Sequence, residues 1–318
     1  MTVARAQLVD VNVTRWYHVV SRTSREAQLV GEGQNDRRQW IEDRLRELTR
    51  AFAVETAAFA VLENQVRVLV RLSPERVGAW SDEDVVRRWA SVHPPRSSAR
   101  QPLELAPVWI EQQLADAQAV AQMRQRLADL AWFMKSLREP ISRRANRADD
   151  CRGAFWQSRY KSIAILDDKA LLATCVYIDL SPVAAGASAI AKESPYTSLH
   201  ARWKHGGTDH WLCPLDAELA RGVDRIGMLN GLALDGYSEL VDWTASHVVQ
   251  GTPRPSDPAI AVLDRWGIGA EIWLSTLRKL FSRAKPLGVA FAFDRQRLRE
   301  AAQQRGCHHL ANINGCPA

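Results

Sequence analysis

No apolar run in this chain approaches the roughly 20 residues a helix needs to cross a bilayer. The first residues carry no hydrophobic signal region, so the expectation is a soluble cytoplasmic protein with no membrane partner. Cysteine is scarce, 5 in 318 residues, with no CxxC pair. That argues against a zinc knuckle and a disulfide framework and fits a reducing compartment. Cys307, His308, His309 and Cys316 have a spacing that matches no familiar zinc module, and they read as a frayed polar tail. There is no Gly-rich phosphate loop, internal repeat or low-complexity tract.

What is present is enough chain to bury a substantial core as one large domain or two. The net charge of +6 and pI near 9.2 permit an acidic partner without requiring one. The distribution of charge says more. From 138 to 161, Arg138, Arg143, Arg144, Arg147, Arg152, Arg159 and Lys161 face only Glu139, Asp149 and Asp150. These cations are interleaved with Phe155, Trp156 and Tyr160, the pattern of charge for phosphates and rings for bases found in single-strand binders. A solvated basic loop anchored by core aromatics would read the same way.

Along the chain, residues 14–22 (TRWYHVVSR) alternate as a strand. A helix follows over 36–52, with Trp40, Ile41, Leu45, Leu48 and Phe52 at helical spacing. The runs VETAAFAVL and QVRVLVRL flank a tight turn at Glu63 and Asn64. Val66, Val68, Val70 and Leu72 share the core face of the second run, while Gln65, Arg67, Leu69 and Arg71 share the other, where a sheet could present them to a ligand. His18, on the first strand, reads as a satisfied structural histidine.

Ser81 caps a helix rich in early acids, and 93–107 is a Pro/Ser-rich loop. A long helix is predicted from near Val108, with Val120, Met123, Leu127, Leu130, Met134 and Leu137 as its seam and Pro140 as its end or kink. A short helix ends near Trp203, and 205–209 is a polar break. Beyond it, 251–258 (GTPRPSDP) reads as a linker, and 270–284 and 294–305 as helices.

The chain is organised around 167–186 (DDKALLATCVYIDLSPVAAG). Asp167 caps a helix that Pro182 should stop. Leu171, Leu172, Cys175, Val176 and Ile178 form its apolar stripe. Tyr177 lies opposite, beside the small residues Ala170, Ala173, Thr174 and Ser181, a face with room for a partner to approach the phenol. The plain alternative is an amphipathic helix with a half-exposed tyrosine.

In this order, with YHVVSR at 17–22, DRRQWIEDRL at 36–45, WFMKSLREPISRRAN at 132–146, FWQSRYKS at 155–162 and YIDLSPVAAG at 177–186, the chain resembles a known family. PYTSLHARW at 195–203 and ELVDW at 239–243 fit its longer members. The family is the single-tyrosine, single-strand DNA transposases of the insertion sequence 200-like and REP-associated group. The resemblance covers roughly residues 4–203 and implies an α+β fold: a central antiparallel sheet flanked by helices, ferredoxin-like and usually dimeric, over residues 1–204. The remainder, 205–318, has its own apolar pattern and reads as a mostly helical accessory region. It implies single-stranded or hairpin DNA as partner, nucleoid association and a homodimer. In the family, a His-hydrophobic-His pair holds Mg or Mn over the scissile phosphate, and a helical tyrosine attacks it to leave a 5′-phosphotyrosine and a free 3′-hydroxyl.

By that resemblance Tyr177 matches the nucleophile, but the metal pair is missing. Asn-His-x-His reads Asn64-Gln65-Val66-Arg67, and Asn-Pro-x-Arg-Ala reads Ser181-Pro182-Val183-Ala184-Ala185. No cofactor is expected, because Arg67 would repel a divalent ion. Two readings follow. In one, the protein keeps the DNA groove, lined by Arg143, Arg144, Arg147, Arg152, Trp156, Arg159, Tyr160 and Lys161, and has lost metal-dependent cleavage. In the other it is still a transposase or nuclease, with Tyr177 attacking and Arg67 in place of the metal.

Overall fold

The computed structural model describes residues 9–24, 27–31, 36–95, 105–204, 211–215, 228–229, 231–282 and 290–304. At its centre is a five-stranded sheet in the order β2-β3-β1-β4-β5. The strands are β1 Trp16–Arg22, β2 Val54–Val61, β3 Gln65–Leu72, β4 Lys161–Ile165 and β5 Ala290–Phe291. β1 pairs antiparallel with β3 and β4, and β2 with β3. The short β5 lies parallel to β4, so the sheet is antiparallel over four strands and gains a parallel edge from the C-terminal region.

Helix α1 (Arg37–Ala51) joins β1 to β2. Between β3 and β4 come α2 (Pro74–Gly78), α3 (Asp82–Val92), α4 (Pro107–Leu114), α5 (Ala117–Leu127) and α6 (Leu130–Ala148). With α1 and α6 as its two crossovers, the four-stranded part has the split βαβ, ferredoxin-like connection. After β4 follow α7 (Asp168–Asp179), α8 (Ser181–Ala184), α9 (Ser198–Lys204), α10 (Leu234–Val248), α11 (Asp257–Arg265), α12 (Ala270–Phe281) and α13 (Arg295–Gln304).

The long helix predicted from Val108 is instead three. Asp116 and Asp129 each cap a new start, accepting from the backbone N–H of Ala119 and Trp132 at 2.9 and 2.8 Å. The predicted seam residues are nevertheless all buried. Pro140 sits inside α6 rather than ending it. The carbonyl it leaves without an intrahelical donor, that of Ser136, accepts from Arg44 Nε at 3.1 Å. The supposed linker at 251–258 also starts a helix, with Ser256 accepting from the Ala259 N–H and Pro258 in the first turn of α11.

Both faces of the sheet are covered. Val66, Val68, Val70 and Leu72 pack with Ile41, Leu45, Leu48 and Phe133 in one core. Leu69, Ile163 and Ile165 pack with Leu172, Val176, Tyr237 and Trp273 in the other. The second face of β3 is therefore no open platform. This second core draws on chain from both sides of residue 204, and Asp179 ties it together. Its carboxylate accepts from Ser198 Oγ at 2.6 Å, the Leu199 N–H at 2.9 Å and the Tyr237 hydroxyl at 2.6 Å. Burial raises the Asp179 carboxyl above its ordinary value, and these hydrogen bonds oppose the rise.

Asp179→Ala strands the Leu199 N–H and the Tyr237 hydroxyl, while the Ser198 hydroxyl can turn to the Phe59 carbonyl at 3.4 Å. Each unsatisfied group costs about 1–3 kcal/mol, so the variant should lose at least about 2 kcal/mol of stability, read as a lower urea midpoint. A loss below about 0.5 kcal/mol would contradict this role for the carboxylate.

Candidate functional site

Tyr177 is set by the ends of α7. Asp167 Oδ1 accepts from the Ala170 N–H at 2.7 Å, as predicted, and Oδ2 also accepts from the Phe293 N–H at 2.7 Å, pinning the C-terminal chain beside β4. At the other end Pro182 opens the short α8. The chain turns away only at Gly186, whose φ of 74° favours glycine. Every residue from Ala170 to Asp179 is buried, so α7 is enclosed all round rather than amphipathic. Tyr177 is 8% exposed, not half-exposed. Its small-residue face receives Phe281 of α12, with ring centroids 4.8 Å apart.

The second neighbour of Tyr177 is Arg67. Its guanidinium carbon lies 4.4 Å from the phenol ring centroid. Arg67 Nη1 donates to Ser181 Oγ at 2.7 Å, and that hydroxyl donates to the Tyr177 carbonyl at 2.7 Å. The structure thus brings Tyr177, Arg67 and Ser181 into one contact, with Gln65 two residues along β3 and 7% exposed. Burial lowers the Arg67 guanidinium from its ordinary value. Tyr177 opposes that shift, and the charge of Arg22 adds to it.

The sheet register supplies two further cations. Arg22 stands opposite Gln65, and Val20 lies between Arg67 on β3 and Lys161 on β4. Arg22, Arg67 and Lys161 therefore share one sheet face, with Arg22 and Lys161 exposed. The alternation of WYHVVSR already put Arg22 on the His18 face, but no reading of that strand used it.

His18 corrects an expectation. It is 1% exposed, and neither ring nitrogen has a hydrogen-bond partner among the described residues, so it is not a satisfied structural histidine. Its ring meets Tyr177 edge-on at 6.0 Å. Burial first, and the Arg67 charge second, push its pKa down to about 3.

The basic segment divides by environment. Phe155 and Tyr160 are buried in the first core, and Trp156 alone of the three rings is partly open. Arg144 lies over the Trp40 ring at 3.7 Å, and Arg143 pairs with Glu139. Arg147, Arg152, Arg159 and Lys161 are exposed and form no ion pair with a described residue. Arg305, the 205–209 break and the Cys307, His308, His309, Cys316 tail lie outside the described residues, as do most of the 93–107 loop and the end of the 270–284 helix.

A divalent ion does not fit the residues at this corner. The positions that would ligate it are Gln65, with one neutral oxygen, and Arg67, whose charge already occupies the space against Tyr177. Among the described residues no group of three or more His, Cys, Asp or Glu could hold a metal. No described helix is long and apolar enough to cross a membrane.

No family model matches the chain, and no curated protein matches it. Among solved structures it is similar to a REP-associated tyrosine transposase bound to a REP hairpin. That likeness has a TM-score of 0.36 and 15% identity, and covers 60% of this chain and 79% of the other.

His18 has a consequence for pH. Its folded pKa of about 3 lies below its ordinary 6.5, so below pH 6.5 the unfolded state binds a proton that the folded state refuses. Stability is fully present above pH 6.5 and is lost as pH falls toward 3. At two units below 6.5 the loss is about 2–3 kcal/mol from this residue. His93, lowered to about 4 chiefly by burial, adds to it. Urea titrations at several pH values should show His18→Phe flattening the profile; an unchanged profile would contradict the assignment.

Proposed function

We propose that this protein binds single-stranded or hairpin DNA through a transposase-like scaffold whose metal-dependent strand cleavage has been lost. The observation that carries the reading is Arg67, held against Tyr177 and bonded to Ser181. It puts a fixed cation where the resembled family places a metal between strand and tyrosine helix. Arginine binds phosphate well as a planar donor, and Arg22 and Lys161 on the same face add to the charge, while Arg147, Arg152 and Arg159 carry further exposed charge along the chain from the end of α6 to β4. In this reading residues 1–204 carry the DNA contacts, and 205–318 are accessory, closing over Tyr177 through Phe281.

His18 favours weighing a second reading, in which Tyr177 is still a nucleophile. Its oxygen would bond to phosphorus as the bond to the 3′-oxygen breaks, with Arg67 neutralising the charge and His18 taking the phenolic proton. The surroundings of His18 oppose it. Burial and the charge of Arg67 lower its pKa to about 3, which makes it a weak acceptor for a phenolic proton. The binding reading is the stronger.

Labelled single-stranded and hairpin DNA should bind with an affinity that falls steeply as salt rises and is unchanged by EDTA. Arg147→Ala, Arg152→Ala and Arg159→Ala together should weaken it. Incubation with Mg²⁺ or Mn²⁺ should give no covalent adduct on a denaturing gel. An adduct that disappears in Tyr177→Phe would establish the second reading instead, and absence of DNA binding would defeat both.

A further inference from the structure

On the other side of the sheet from Tyr177, a cavity of about 470 Å³ lies between α6 and the segment leading into β4. That volume is within the range of small-ligand pockets. Trp132 of α6 lines it together with Trp156 and Tyr160 from that segment. Trp156 is held in place, because its indole N–H donates to the Arg138 carbonyl at 3.0 Å and the Arg138 guanidinium lies 5.2 Å from its ring centroid. Arg138 also donates to the Ser158 carbonyl, fastening the loop to the helix. Trp132, Lys135 and Arg143 fall at i, i+3 and i+11, on one face of α6.

The charges select the ligand. Lys135, Arg138 and Arg143 outnumber the one acid in the lining, Glu139, and that acid is neutralised by Arg143. Three aromatic rings could form a cage for a quaternary ammonium group, but this surplus of positive charge would repel one. A flat ligand carrying negative charge fits both features. Lys135 is exposed and forms no ion pair with a described residue, and its ammonium rests 4.4 Å from the Trp132 ring centroid. It can swing from the ring to a phosphate without breaking a salt bridge.

The geometry points to this cavity as the seat of one unpaired nucleobase of a DNA strand, stacked on Trp132 and Trp156 with the adjoining phosphate on Lys135. The inference rests on the DNA-binding reading above and adds to it a base-holding site separate from the Tyr177 corner. It also assigns a role to Trp132 and Lys135, which lie outside the basic aromatic segment read from sequence.

The test uses the full chain and two probes of equal length and charge: a mixed-sequence single strand and its abasic counterpart. Removing a stacked ring is worth roughly ten- to a hundredfold in affinity per base. The protein should prefer the base-bearing strand by about that factor. Trp132→Ala should erase most of the preference while keeping the abasic affinity, and Trp132→Phe should retain most of it. Lys135→Ala should weaken both strands equally. Because Trp132 also packs on the first core, the unmutated protein provides a second readout. A strand carrying 5-iodouracil should photocrosslink to Trp132, Trp156 or Tyr160. Equal binding of both strands, or crosslinks confined to other residues, overturns the base site while leaving DNA binding in place. Failure to bind either strand defeats the parent reading and this site with it.

Discussion

The site is built around the cost of holding one guanidinium beneath a buried helix. Taking an arginine out of water costs several kcal/mol unless its surroundings offset the loss. Here the offset comes from two sources: the Ser181 hydroxyl and the face of the Tyr177 ring. The rest of the corner follows. Tyr177 is gripped between Arg67 and Phe281, and His18 is kept neutral by burial and by the cation beside it. The end of α7 is fixed to β3 through Ser181. Arg67→Lys would keep the charge but lose the planar fork that meets ring and hydroxyl together.

This arrangement changes what the tyrosine can do. A phenol needs its charge drawn off and its proton accepted before it attacks a phosphodiester. Arg67 offers one positive charge, and the nearest candidate base is too weak to take the proton. The same residues suit static recognition of a phosphate. Arg147, Arg152, Arg159 and Lys161 lie on exposed surface with no ion pair to a described residue, whereas Arg143 and Arg144 are engaged by Glu139 and Trp40. The charge that reads as one run in the sequence is therefore split between holding α6 in place and facing solvent.

Much of the fold was legible because local rules decided it. The β1 to β3 strands, the Glu63 and Asn64 turn, the Ser81 capping box and the Asp167 cap each rest on a few neighbouring residues. Other features turned on distant chain. Pro140, read as an end or a kink, lies inside its helix, and Arg44, far away in sequence, takes the freed carbonyl. The seam of 120–137 kept its period across one helix break, since Asp129 restarts the helix without changing the face it buries. Tyr177 looked accessible because its small neighbours left room, and nothing local announced that Phe281 would fill it. The contact of Tyr177, Arg67 and Ser181 was foreshadowed only by resemblance. The isolation of His18 had no sequence signal, because an orphaned nitrogen is defined by what fails to approach it.

The central claim is that Arg67 meets a DNA phosphate directly, in the space a metal would otherwise fill. The most direct measurement is the slope of log affinity against log salt concentration for single-stranded DNA, in the unaltered protein and in Arg67→Ala. A lost phosphate contact lowers the magnitude of that slope by about 0.7 for a single strand. The account predicts a slope shallower by about that amount, together with weaker binding across all sequences. A variant that folds, binds DNA and keeps the full slope would contradict it.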